Sequence, residues 1–202
     1  MQLTDHDDKD LELSLAKVSS GSRGRVLTAS PLVAGRIAWV SENGIILEEV
    51  TLAEDGSFQA STAHADGSPI VVRSANQPLQ VLRQPGMADG DQLLLRLPTP
   101  APQTIAVHAN ESWRDRDSII LVRLNGVIIP PDLLTDHEAH RGIGTVISRG
   151  QSVVLADIAS APAEVSLLPL ETYLNSRRAS GGVNLLSAYE YKPVRKGVVD
   201  FP

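Results

Sequence analysis

Residues 52 to 72 read LAEDGSFQASTAHADGSPIVV, and whether the two Asp-Gly pairs in this stretch are turns or ligands decides how the chain is read. Glycine enters positive φ without a Cβ clash, and aspartate hydrogen-bonds to backbone close by, so Asp55-Gly56 and Asp66-Gly67 suit tight turns. A calcium loop would need about six or more oxygen ligands at close alternate spacing, whereas Asp55 and Asp66 stand eleven positions apart. The pairs therefore read as turns. The residues around them read as strands, with the β-branched run Ile70-Val71-Val72 after the second turn.

Working outward, short apolar runs recur about every ten residues: RVLTA, GRIAWV, GIILEEV, SFQAS, PIVVR, LQVLR, QLLLRL, TIAVHA, IILVRL and GVII. Their separators (SP, NG, DG, QP, PGMADGD, PTPAP) are turn vocabulary. No helical crossovers intervene, so antiparallel pairing is expected. The predicted fold is mainly β, an antiparallel sandwich or barrel with one or two short helices in the C-terminal half. PPDLLTDHEAH (130 to 140), with proline in its first turn, and ETYLNSRR (171 to 178) are the helical candidates. GTVIS and SVVLADI read as a hairpin pair.

The acidic, serine-ended segment 1 to 23 buries little and reads as a flexible leader. The prolines of PTPAP, residues 98 to 102, delete backbone donors and favour extended geometry. The stretch divides a β domain at 24 to 97 from a second β-rich unit with short helices at 103 to 191, followed by an extended tail at 192 to 202. A single continuous barrel is the alternative.

The 202 residues carry a net charge of −6, which opposes a general nucleic-acid surface, and two Trp, three Tyr and two Phe are too few for a base-stacking platform. No nucleic-acid partner is expected. The absence of cysteine excludes disulfides, thiolate zinc sites, iron-sulfur clusters and cysteine nucleophiles. No apolar run approaches the roughly 18 residues of a membrane span, and the acidic N-terminus lacks the pattern of a classical signal peptide. The compartment stays open: cytoplasmic by default, or exported by another route or within a longer chain.

Two constellations could carry chemistry or binding. In NESWRDRDS (110 to 118), Trp113 lies among Arg114, Asp115 and Arg116, so a β-hairpin loop could present an indole ringed by charge; recognition sites often anchor on such a residue. The bland reading turns Trp113 inward over the end of the sandwich. Further on, Asp136, His137 and His140 could ligate a zinc ion if the segment is helical, but they lack the His spacing of HExxH enzymes and an evident fourth ligand. No phosphate loop, nucleophile elbow or paired catalytic carboxylates are present, no cofactor is expected, and Trp39, within an apolar run, belongs to the core.

Val33 to Ala75, through VAGRIAWVSENG, VTLAEDGSFQAS and ADGSPIVVRSA, resembles bacterial immunoglobulin-like repeats, the modules of adhesins and surface proteins. The resemblance covers about a fifth of the chain and implies an adhesive or carbohydrate-binding role. IILVRLNGVIIPPDLLTD, SVVLADI and ETYLNSRR look like the closing part of Hint domains, the fold of hedgehog and intein self-processing units. Without the catalytic cysteine, that likeness implies a degenerate, inactive unit. The sequence thus favours a non-enzymatic module that binds a protein or carbohydrate partner, in a bacterial surface or secreted assembly. The alternatives are the degenerate Hint-like domain and a metal-dependent hydrolase using His137 and His140.

Overall fold

The computed structural model describes residues 21–85, 92–99, 101–134, 145–178 and 189–202. Asp136, His137 and His140, and all but the last three residues of the expected leader, lie outside them. Among the described residues the chain is mainly β, built of sandwiched sheets with one α-helix in the C-terminal half.

All ten apolar runs become strands. The first seven are β1 (Arg23–Leu27), β2 (Arg36–Val40), β3 (Ile46–Thr51), β4 (Ser57–Gln59), β5 (Pro69–Arg73), β6 (Gln80–Arg83) and β7 (Leu93–Arg96). They form two sheets, ordered β4-β1-β7 and β3-β2-β5-β6. Val26, Phe58, Leu93 and Leu95 from the first sheet meet Ile37, Trp39, Ile70 and Val72 from the second in one core. β1 and β7 alternate buried and exposed residues, as a sheet with one wet face requires.

The second unit contains β8 (Pro102–Ala109), β9 (Asp117–Leu124), β10 (Val127–Ile129), β11 (Val146–Ser148), β12 (Ser152–Ala159), β13 (Ala163–Pro169), β14 (Lys192–Pro193) and β15 (Val198–Phe201). A 3-10 turn spans Pro131–Leu133 and helix α1 spans Leu170–Arg178. The sheets are β12-β8-β15 and β10-β9-β13-β14, with β11 added on β9. This order repeats the first unit strand for strand once β11 is set aside. In both units the first strand pairs antiparallel with the fourth member of the series and parallel with the last. In both, the second strand pairs antiparallel with the third and fifth. The chain therefore contains one sandwich topology twice, with no matching repeat in its sequence.

The units share apolar contact. β2 and β5 are buried almost continuously because the sheet has two covered faces: Ile37, Trp39, Ile70 and Val72 point into the first unit's core, while Ala38, Val40 and Val71 join the core of the second. Leu79 adds backbone bonds across the boundary, donating to Asp157 O and accepting from Ala159 N at 2.7 and 2.9 Å. β9 is covered twice for a different reason. Ile120 and Val122 face the second sandwich core, and Ile119 and Leu121 pack with Leu168 and with Tyr173 of α1. Tyr173 donates to Asp132 at 3.0 Å, tying the helix to the 3-10 turn.

Three expectations change. GTVIS and SVVLADI are not a hairpin: β11 pairs with β9 and β12 with β8, because the Arg149-Gly150 turn hands the chain from one sheet to the other. NESWRDRDS likewise crosses between sheets and does not close a hairpin. The stretch 192 to 202 supplies β14 and β15, with Val199 and Phe201 buried; pairing with β8 gives that segment's backbone groups partners. No helix among the described residues is long and apolar enough to cross a membrane.

Both opening Asp-Gly pairs are turns, with Gly56 at φ +81 and Gly67 at φ +78. Asp55 Oδ1 accepts from Ser57 N at 2.9 Å, and its carboxyl is held below the ordinary range first by the Ser57 bonds. The two glycines differ in surroundings. A Cβ at Gly56 would lie 2.6 Å from the Val26 carbonyl oxygen, whereas at Gly67 it would meet nothing within 4 Å. Gly67→Ala should therefore cost only the backbone term, about 1 kcal/mol, and Gly56→Ala about 3 kcal/mol once the overlap is added. Chemical unfolding of the two variants checks the order; equal losses would show that the Val26 contact carries no weight.

Candidate functional site

Three polar constellations assemble among the described residues. In the first, Glu48 on β3 receives Ser61 and Thr62 hydroxyls at 2.7 and 2.6 Å, and His64 Nε2 lies 2.9 Å from its carboxylate. The His64 ring stacks on Trp39 with centroids 4.6 Å apart. Trp39 Nε1 donates to Gln84 Oε1 at 2.7 Å, and Gln84 Nε2 donates to the His64 carbonyl at 2.8 Å. This closes a loop of bonds around the buried indole. Burial raises the Glu48 pKa, but the bonds from Thr62, Ser61 and His64 outweigh it and hold the group at about 2. A carboxylate so saturated cannot serve as a base near neutrality, and both hydroxyl protons already point at it. The cluster is a clamp fastening residues 61 to 64 onto β3.

In the second, register sets Ser152, His108 and Asp200 side by side on three neighbouring strands. Ser152 Oγ and His108 Nδ1 are hydrogen-bonded. No bond joins Asp200 to the imidazole among the described contacts. The row lies on the β12-β8-β15 sheet, where the register and the Ser152–His108 bond account for its arrangement.

The third constellation closes one end of the second sandwich. The Asn110 to Arg116 segment turns back on itself through Trp113 N donating to Asn110 O at 2.9 Å, and Asn110 N bonds Phe201 O at 2.9 Å. Trp113 is half-buried. Its Nε1 donates to the buried Ser118 hydroxyl at 3.2 Å, and its ring meets Phe201 edge-on at 5.5 Å. Arg114 lies 5.5 Å from the indole centroid, and the Lys192 ammonium 4.6 Å from that of Phe201. Lys192 is held there by donating to the Asp200 carbonyl at 3.0 Å. With Tyr189 and Glu190 these residues line a cleft of about 320 Å³.

Of the four residues singled out in this loop, the structure brings two together here. Trp113 and Arg114 line the cleft, while Asp115 and Arg116 face a different one of about 410 Å³ beside α1, with Glu171 and Leu174. Tyr189 and Phe201 were missed as site residues, and nothing in the sequence joined them or the basic Lys192 to Trp113, because they come from a segment some eighty positions away; the aromatic and basic character of AYEYKPVRKG was the available signal. Nearby, burial pushes the Tyr191 phenol up to about 12, although the Arg123 guanidinium, 3.9 Å from the ring centroid, works against that rise. Among the described residues no group of three or more His, Asp or Glu could hold a metal ion. No family model, curated protein or solved structure matches the chain.

The Glu48 clamp makes a pH prediction. Its folded pKa lies below the ordinary value of 4.5, so its stabilisation is complete above that value and is lost as pH falls through about 2. Glu48→Gln should lower stability at pH 7 and flatten the decline between pH 4.5 and 2 in acid-unfolding curves. An identical acid limb in wild type and variant would remove Glu48 as its source.

Proposed function

We propose that this chain is a non-enzymatic interaction module that captures a protein or glycan partner at the Trp113 end of the second sandwich. The observation that carries the reading is a half-buried indole whose N–H is satisfied inside the protein, with Arg114 and Lys192 beside an aromatic cleft. Such a ring is already oriented, so little side-chain entropy remains to be lost on binding. Aromatic and arginine side chains are the usual concentrators of binding energy. The two cations favour acidic groups on the partner, with an affinity that falls as salt rises. The resemblance of Val33 to Ala75 to bacterial immunoglobulin-like repeats supports a place in a surface or secreted assembly, and a sandwich built twice suits a module that presents its end to a partner.

Screening the full chain against glycan arrays and extracellular protein fractions, then testing variants on the partner found, checks the reading. Arg114→Ala should leave stability within about 0.5 kcal/mol and weaken capture several-fold. Trp113→Ala should weaken capture further and cost about 2 kcal/mol, because only part of the ring is buried. Unchanged capture in both variants would place the partner elsewhere and end the proposal.

A further inference from the structure

The first unit packs a three-stranded sheet, β4-β1-β7, on a four-stranded one, β3-β2-β5-β6. The Asp55-Gly56 turn passes the chain from β3 to β4 and joins the sheets at that side, with Ala53 N donating to Ser57 O at 2.9 Å. Counted from there, with the strands of facing sheets nearly aligned, β4, β1 and β7 lie over β3, β2 and β5. Among the described strands none stands across from β6. Its core-facing residues show the difference. Register sets Leu82 beside Ile70 and Gln80 beside Val72. Leu82 is only partly buried, and Gln80 is 3% exposed with its Oε1 buried and without a hydrogen-bond partner.

The flank beside β7 is correspondingly open. Of the described strands, β7 pairs only with β1. Leu97 N donates to Leu27 O at 2.9 Å, so by the alternation of a parallel ladder Leu93 and Leu95 also turn their backbone groups to β1, and those of Leu94 and Arg96 point off the edge. Such an edge is a template for another strand. Leu94 is 47% exposed, and Arg96 is exposed and makes no ion pair among the described residues.

Upstream of β1, residues 11 to 15 read Leu-Glu-Leu-Ser-Leu, the alternation of a strand with one apolar face. We infer that this segment of the chain docks on the free edge of β7 as an added antiparallel strand and completes the first sandwich across from β6. β1 and β7 run parallel, so both begin at the same end, and a strand that lies beside β7 and leads into β1 runs antiparallel to both. The link to β1 crosses about 10 Å, two strand spacings, well within the reach of residues 16 to 22 at about 3.3 Å each. One register satisfies every position. Leu11, Leu13 and Leu15 stand opposite Leu97, Leu95 and Leu93, all buried, and extend the core over Leu82. Glu12 comes opposite Arg96 on the wet face, where opposite charges attract, and Glu12 and Ser14 exchange backbone bonds with Arg96 and Leu94. A slip by one residue would turn the leucines to water, and a slip by two would take Glu12 away from Arg96. Strand addition of this kind draws its strength from main-chain bonds and its specificity from alternate side chains. It concerns the first unit and does not depend on the function proposed for the Trp113 end.

NMR on the full chain tests the docking. In the wild type the expected result is a close Hα–Hα contact between Leu13 and Leu95, the non-hydrogen-bonded pair of that register, an observation that needs no variant. Amide exchange at Leu94 and Arg96 should be at least about tenfold slower than in Leu13→Asp. Protection in β2 and β5 should survive Leu13→Asp, which separates loss of docking from loss of the fold. Glu12→Arg should speed exchange at the same two amides, and Glu12→Arg combined with Arg96→Glu should restore their protection. Exchange at Leu94 and Arg96 as fast in the wild type as in Leu13→Asp would overturn the inference. So would a Leu13–Leu95 contact seen only between separately labelled copies in a mixed sample, which would give the edge to a second chain, or contact of the β7 edge with a different segment.

Discussion

The contact on which the rest of the structure depends is the seam where Ala38, Val40 and Val71 enter the core of the second unit. A sheet buried on one face can alternate apolar and polar residues; a sheet buried on both cannot. β2 and β5 therefore carry runs of apolar residues, and those runs commit their outer face to a neighbour. Leu79 extends the seam from packing into backbone hydrogen bonding. Once the sheet is shared, the position of each unit against the other follows.

Much of the fold was legible because each strand announces itself locally. The ten apolar runs between turn residues all became strands, Trp39 went to the core, and the Asp-Gly pairs adopted the positive φ that only glycine enters freely. What stayed hidden was pairing. A turn such as Arg149-Gly150 looks the same whether it joins neighbours in one sheet or carries the chain across a sandwich, so β11 and β12 were misplaced. The doubling of the topology was also invisible, since an identical strand order can be met by any residues that satisfy burial; β2 is covered by a second sandwich and β9 by a helix.

The site followed the same rule. Trp113 and Arg114 could be picked from their loop, because an indole among charges is unusual locally. Their companions Tyr189, Lys192 and Phe201 arrive only through β14 and β15. The turning of the loop then separated residues adjacent in sequence: Asp115 and Arg116 line another cleft. Ser152, His108 and Asp200 show the reverse case, a suggestive trio brought into register by strand pairing alone.

The parallel pairing of first with last strand in each unit, β1 with β7 and β8 with β15, has a mechanical consequence. Tension applied to a unit through the start of its first strand and the end of its last pulls the two strands past one another along their length. Every rung of that ladder is then loaded together, whereas in a hairpin pulled from its open end the rungs break one at a time. Each unit thus resists extension with its terminal strand pair acting as a single shear bond. Two such units in series, joined by the short proline-rich link after Leu97, make the chain stiff along the direction in which its backbone would carry force.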